Sequence, residues 1–169
     1  AELHEVDISN ISEEIKFISP YDDFPTLVDR DLVLQNSRVI IEYLDERFPH
    51  PPLLPVDPVA RAKFRLALDR IEHTWYPEFD KAYKNGGLED AFKDKIKSYF
   101  LEIIPLITDS FFMSDDFGLV DCSLAPLLWR IKSLGVEITE NKKIIDDYSD
   151  RIFNRESFQA SLTETERDM

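Results

Sequence analysis

Five of the ten prolines in this 169-residue chain fall between residues 49 and 58, at Pro49, Pro51, Pro52, Pro55 and Pro58. Proline lacks an amide donor and fixes φ, so prolines at this spacing exclude both helix and central strand. They favour a stiff, extended connection instead. The stretch divides the chain into residues 1–48, which mix strand and helix patterns, and residues 59–169, which read as helix throughout. Two folding units joined by a proline-rich linker at 49–58 are therefore expected.

In the first unit Leu3, Val6 and Ile8 predict a short strand, although Ile8 is out of register with Val6. Ser12 caps one or two helical turns over 13–18, which Ser19-Pro20 ends. Residues 26–28 and 32–34 predict a hairpin around Asp29-Arg30-Asp31. That turn lacks glycine, so a connection less regular than the type I′ form is expected. Asn36-Ser37 starts a helix to about Arg47, with Ile40, Ile41, Leu44 and Phe48 as its buried stripe.

The second unit opens with a long helix from about Val59. Ala60, Phe64, Leu68, Ile71, Trp75, Phe79 and Tyr83 recur there every three or four residues, and Pro77 is expected to kink it. Gly86-Gly87 breaks the chain before a return helix carrying Ile96, Tyr99, Phe100 and Ile103. A third helix follows Phe117-Gly118, then two amphipathic pieces near 142–151 and 155–162. The charged tail 163–169 is expected to be loose.

A hydrophobic content of 43% and an aromatic content of 12% predict a folded globule and exclude disorder. No apolar run approaches the ~20 residues of a membrane span. Residues 1–5 have neither a basic nor an apolar signal region, so no signal peptide is expected. The single cysteine, Cys122, allows no internal disulfide and fits a reducing cytoplasm. The net charge is -14, and residues 1–58 hold 4 Lys+Arg against 13 Asp+Glu. Such a field repels phosphate backbones, so direct nucleic-acid binding is not expected. Arg61, Lys63, Arg65 and Arg70 read as a solvated helix face.

Four places could carry function. An aromatic residue before proline favours a cis bond at Phe24-Pro25, and the strand that follows could pair with an extended peptide. The start of the helix at Asn36-Ser37 suits an anion through its free N–H groups, or is an ordinary N-cap. His50 stands between Pro49 and Pro51 on a preorganised loop, where it either meets a partner or packs the linker. In the first case it should be exposed and line a shallow pocket with parts of the helical unit. Gly118 and Asp121 form a helix cap with a folding role, Asp121 reaching back to the cap N–H. Cys122 reads as inert core, and His4, His50 and His73 share no metal-ligand spacing.

Several of these segments carry a resemblance. Phe24-Pro25-Thr26-Leu27-Val28-Asp29 is similar to the proline-led strand that approaches glutathione in the glutathione transferase superfamily. Asn36-Ser37-Arg38-Val39-Ile40-Ile41-Glu42-Tyr43-Leu44 is similar to that superfamily's Glu-Ser-Arg helix start, with Asn36 in place of the usual Glu. Tyr43-Leu44-Asp45-Glu46-Arg47-Phe48-Pro49-His50-Pro51-Pro52-Leu53-Leu54-Pro55 and Leu119-Val120-Asp121-Cys122-Ser123-Leu124-Ala125-Pro126-Leu127-Leu128-Trp129-Arg130 resemble its stringent starvation protein A branch. Residues 157–164 continue the likeness, which spans essentially the whole chain.

The resemblance implies an α/β plus all-α chain of glutathione-transferase-like fold. A partial thioredoxin-like unit at 1–48 would precede an all-helical unit at 59–169. The first β-α unit of that fold, which supplies the catalytic Tyr, Ser or Cys, has no counterpart in this sequence, so no catalytic residue is named. The resemblance also implies a cytoplasmic homodimer that regulates transcription under stress. It would bind RNA polymerase holoenzyme and its housekeeping sigma factor through Pro49, His50 and Pro51. No cofactor, metal or transferase chemistry is expected, and Phe24, Pro25, Asn36 and Ser37 would be a vestigial glutathione-type site. The alternative is a glutathione-dependent transferase or reductase whose catalytic residue lies in the first unit of the fold.

Overall fold

A computed structural model describes the chain except for residues 1, 8, 20–23, 85–89, 108 and 109, and except for the side chains of residues 82, 83 and 91. Two compact units divide inside the proline-rich segment, as Ala1–Pro52 and Leu53–Met169.

In the first unit α1 (Glu13–Ile18) starts where Ser12 Oγ accepts from the Ile15 N–H. The hairpin pairs β1 (Thr26–Asp29) with β2 (Leu32–Gln35) in the register Thr26↔Gln35 and Asp29↔Leu32. Helix α2 (Ser37–Arg47) packs on this hairpin and buries Ile40. Tyr43 fastens the two elements, its hydroxyl donating to Asp29 Oδ2 at 2.6 Å.

Two expectations for this unit need correction, on residues 2–7 and on the α2 stripe. Residues 2–7 are not a strand, and Leu3 is exposed. A strand is stabilised by the ladder of a neighbour, and among the described residues none pairs with this segment. The hairpin turn is a two-residue connection, Arg30-Asp31, in which Arg30 alone takes a positive φ, 57°, so it is not the type I′ form, in keeping with the missing glycine. The α2 stripe is buried only in part, since Leu44 is 37% and Phe48 66% exposed.

The second unit opens with a continuous helical column. Asp57 caps α3 (Pro58–Arg70) by accepting from the Ala60 N–H at 2.8 Å. Pro58, the last proline of the segment, sits in the first turn, where a missing N–H costs nothing. The column continues through a π-helical turn (Ile71–Trp75) into α4 (Tyr76–Lys84). The Tyr76 N–H reaches back five residues to the Ile71 carbonyl. This wider turn accommodates Pro77, which follows at once and lacks a donor, where the sequence suggested a plain kink.

Helix α5 (Asp90–Ile103) runs into a short 3-10 turn (Ile104–Leu106). Helix α6 (Leu119–Arg130) is apolar on nearly every side and forms the centre of the unit, burying Leu119, Val120, Leu124, Leu127 and Leu128. Around it stand Trp75, Phe100, Phe112, Tyr148 and Ile152, each at most 1% exposed. Trp75 stacks on Tyr99 with ring centroids 5.1 Å apart, as the stripe from Phe64 to Phe79 requires.

The chain ends in α7 (Lys142–Phe153), α8 (Glu156–Ser161) and α9 (Glu164–Arg167). The tail is therefore ordered and attached. Thr163 and Glu166 form a capping box, and Glu166 binds α6. Its charge hid this, because a charged tail reads as solvated until a partner for the charge is known.

Candidate functional site

The proline-flanked turn begins where α2 stops. The Phe48 N–H closes the last helical turn on the Leu44 carbonyl at 2.9 Å. Phe48 then leaves helical geometry, with φ of -129° and ψ of 66°. The His50 N–H donates to the Phe48 carbonyl at 2.9 Å, a bond that spans only two residues and tightens the chain around Pro49. The His50–Pro51 peptide is cis. Pro49, His50, Pro51 and Pro52 are all exposed.

Two neighbours of the turn were not legible as surface residues. Phe48 was expected to be buried but lies open, and the Arg47 guanidinium sits 5.5 Å from its ring centroid. The exposed strip thus runs Arg47-Phe48-Pro49-His50-Pro51 and offers a cation, an aromatic face and an imidazole in sequence. Such mixed aromatic and cationic surfaces are typical of interface anchors. The signal for Phe48 was its position beside Pro49, where the helix can no longer present it to the core.

The glutathione-type candidates lie elsewhere. The Phe24–Pro25 bond is cis, as the aromatic-proline pair suggested. Since Thr26 pairs with Gln35, Pro25 and Asn36 stand one step further, at the same end of the hairpin. Asn36 caps α2 with a φ of 76°, and its Oδ1 accepts from the Arg38 N–H at 3.0 Å and the Val39 N–H at 3.4 Å. Two of the donors at this helix start, the Arg38 and Val39 N–H groups, are thus engaged by the cap residue itself. The eleven residues of α2, about 16 Å of helix, separate this end from the turn at His50.

Asp121 holds the start of α6 rather than any ligand. The Gly118 N–H donates to its Oδ2 at 2.7 Å, while the Phe112 N–H and the Tyr148 hydroxyl donate to Oδ1 at 3.0 and 2.5 Å. Burial raises the Asp121 carboxyl above its ordinary range, and the three donors work against that. Cys122 is half-buried on the same helix. His4 and His73 are exposed, and among the described residues no group of three His, Cys, Asp or Glu could hold a metal. No described helix is long and apolar enough to cross a membrane.

A cavity of about 260 Å³ opens in the second unit, lined by Leu66, Arg70, Ile71, Glu102, Leu106 and Met113 among others. His50 is not among the residues that line it.

The sequence profile of the glutathione S-transferase N-terminal domain matches residues 1–52. The crystal structure of glutathione transferase Omega 3C from Trametes versicolor superposes with a TM-score of 0.82 at 21% identity, covering 95% of this chain and 72% of that one. The fold is that of the glutathione transferases. A stringent starvation protein A homolog of Histophilus somni is 53% identical over 162 residues, covering 94% of this chain and 76% of the relative. One from Pasteurella multocida (strain Pm70) is 52% identical over 164 residues, covering 95% and 77%. The chain belongs to the stringent starvation protein A family. Both relatives carry the name of a starvation protein and not that of an enzyme.

Proposed function

We propose that this chain is a cytoplasmic transcription regulator of the stress and stationary-phase response. It acts by binding RNA polymerase holoenzyme with its housekeeping sigma factor and performs no transferase chemistry. The observation that carries the reading is the exposed turn Pro49-His50-Pro51, restrained by its prolines and by the His50 N–H bond to Phe48. A preordered anchor loses little entropy on binding. The acidic charge of -14 fits a partner that leaves DNA contact to the polymerase. Asn36 supports the non-catalytic part, because its side chain already occupies two of the helix-start donors, the Arg38 and Val39 N–H groups.

The chain acts as a homodimer. Val59 and Leu66 stand 65% and 72% exposed on α3 beside Asp69 and Arg70, an apolar face with a charged rim suited to a second copy. Sedimentation at micromolar concentration checks this, and a monomer there contradicts it.

The deciding experiment is a pull-down of RNA polymerase with wild-type protein and with Pro49→Ala/His50→Ala/Pro51→Ala. Loss of polymerase from the variant is expected, and undiminished capture overturns the reading. Immobilised glutathione should retain neither protein.

A further inference from the structure

One residue of the C-terminal turn attaches it to α6. The Trp129 indole N–H donates to the Glu166 backbone carbonyl at 2.7 Å. The guanidinium of the next residue, Arg130, pairs with the Glu166 carboxylate through Oε1. The other carboxylate oxygen, Oε2, accepts from the Thr163 N–H at 3.1 Å and the Thr163 hydroxyl at 3.0 Å. The capping box therefore holds Glu166 in an orientation in which two adjacent residues of α6 read its carbonyl and its carboxylate together.

The reading groups are fixed independently of the tail. Phe153 and Phe158 bracket the Trp129 ring at 4.9 and 5.3 Å between centroids, so the indole N–H has little freedom to swing. Arg130 is braced by donating to the Pro126 carbonyl at 3.3 Å. The ligand side differs. The four residues of α9 are far too few to be helical on their own. The Arg130 and Glu166 side chains are 28% and 21% exposed, so the pair is shielded yet reachable.

We propose that Trp129 and Arg130 form a docking site for an acidic Thr/Ser-x-x-Glu peptide segment of a partner protein. The chain's own Thr163–Glu166 keeps the site closed. A tethered segment competes at roughly millimolar effective concentration, so a partner opens the site when it binds more tightly or is held nearby by another contact. Recognition rests on a preformed indole donor and a charge-assisted guanidinium pair, which together require a carboxylate and the carbonyl of the same residue.

A fluorescent peptide of residues 160–169, followed by anisotropy against the full chain, tests this. The Glu166→Ala chain should bind the peptide at least tenfold more tightly than the wild-type chain, whose site is filled. A peptide with Gln in place of Glu166 should bind that variant about tenfold more weakly, and adding Arg130→Ala to the variant should remove binding. Thr163→Ala loosens the cap while leaving both reading groups intact, and should give a smaller gain of the same sign. Equal binding to wild type and both variants overturns the proposal. So does indifference to the peptide's carboxylate, or no binding to either variant at millimolar peptide.

Discussion

The Tyr148 hydroxyl donates to Asp121 Oδ1 at 2.5 Å and joins the middle of α7 to the first turn of α6. Both side chains are fully buried. Burial holds the Tyr148 phenol well above its ordinary range, and the Asp121 charge adds to that, so the phenol is a donor at any moderate pH. Together with the N–H groups of Gly118 and Phe112, Tyr148 surrounds one carboxylate with three donors from three parts of the second unit.

Removing either end has different consequences. Asp121→Ala strands three buried donors and should cost about 3–5 kcal/mol, since each orphaned buried group costs about 1–3 kcal/mol. Tyr148→Phe removes one donor of three and should cost about 1–2 kcal/mol. Urea unfolding of the two variants checks the order. If Tyr148→Phe proves the worse of the two, the network is not centred on Asp121.

Gly118 tests a reading of the cap that looked simple. A helix cap usually prefers Ser or Thr over Gly, so the sequence suggests a small gain from Gly118→Ser. The structure reverses that expectation. A Cβ at Gly118 would lie 2.9 Å from the Leu53 carbonyl oxygen, which is already bonded to the Leu119 N–H, and 3.3 Å from Phe64. Gly118→Ala and Gly118→Ser should each lower stability by about 1–3 kcal/mol through backbone displacement. A Gly118→Ser chain that melts above wild type refutes this account.

These cases mark how far the residues alone could lead. The helical stripes from Phe64 to Phe79 and the helix starts at Ser12, Asn36 and Gly118 were readable, because spacing and capping chemistry are local. The π-helical turn was not, since it depends on how Pro77 is absorbed by the four residues before it. The attachment of the tail was not legible either. It depends on Arg130 and Trp129 meeting Glu166 across 36 and 37 residues, and nothing local pairs those charges. For the candidate site, the rigid turn at His50 was visible in its prolines. The open face of Phe48 was hidden by a periodicity that continues one residue past the end of α2.

The attachment of the tail should also depend on acid. The Thr163 N–H is the main cause that holds the Glu166 carboxyl below its ordinary range, and Arg130 adds to it. A depressed folded value means that the ionised form stabilises the folded state. That contribution is complete above the ordinary glutamate value of about 4.3 and is lost as pH falls through the lower folded one. Trp129 emission, recorded in a Trp75→Phe chain, should be flat from pH 7 to 5 and change below about pH 4. In Glu166→Gln the transition should vanish. A transition of the same size in that variant assigns it to other groups.

His50→Ala separates the functional reading from a packing role. The imidazole is exposed, and the turn that carries it is restrained by neighbouring prolines and by a backbone bond that alanine also makes. An exposed side chain of this kind usually matters by less than about 0.5 kcal/mol, so the melting temperature should stay within a few degrees of wild type. Polymerase capture should fall, because a few preordered anchors carry most of the energy of an interface. Phe48→Ala serves as the companion, since Phe48 is open and flanks the same turn, and it should weaken capture with equally little effect on melting. A His50→Ala chain that melts lower but captures polymerase normally makes His50 a packing residue of the linker, and the proposed binding turn then loses its anchor.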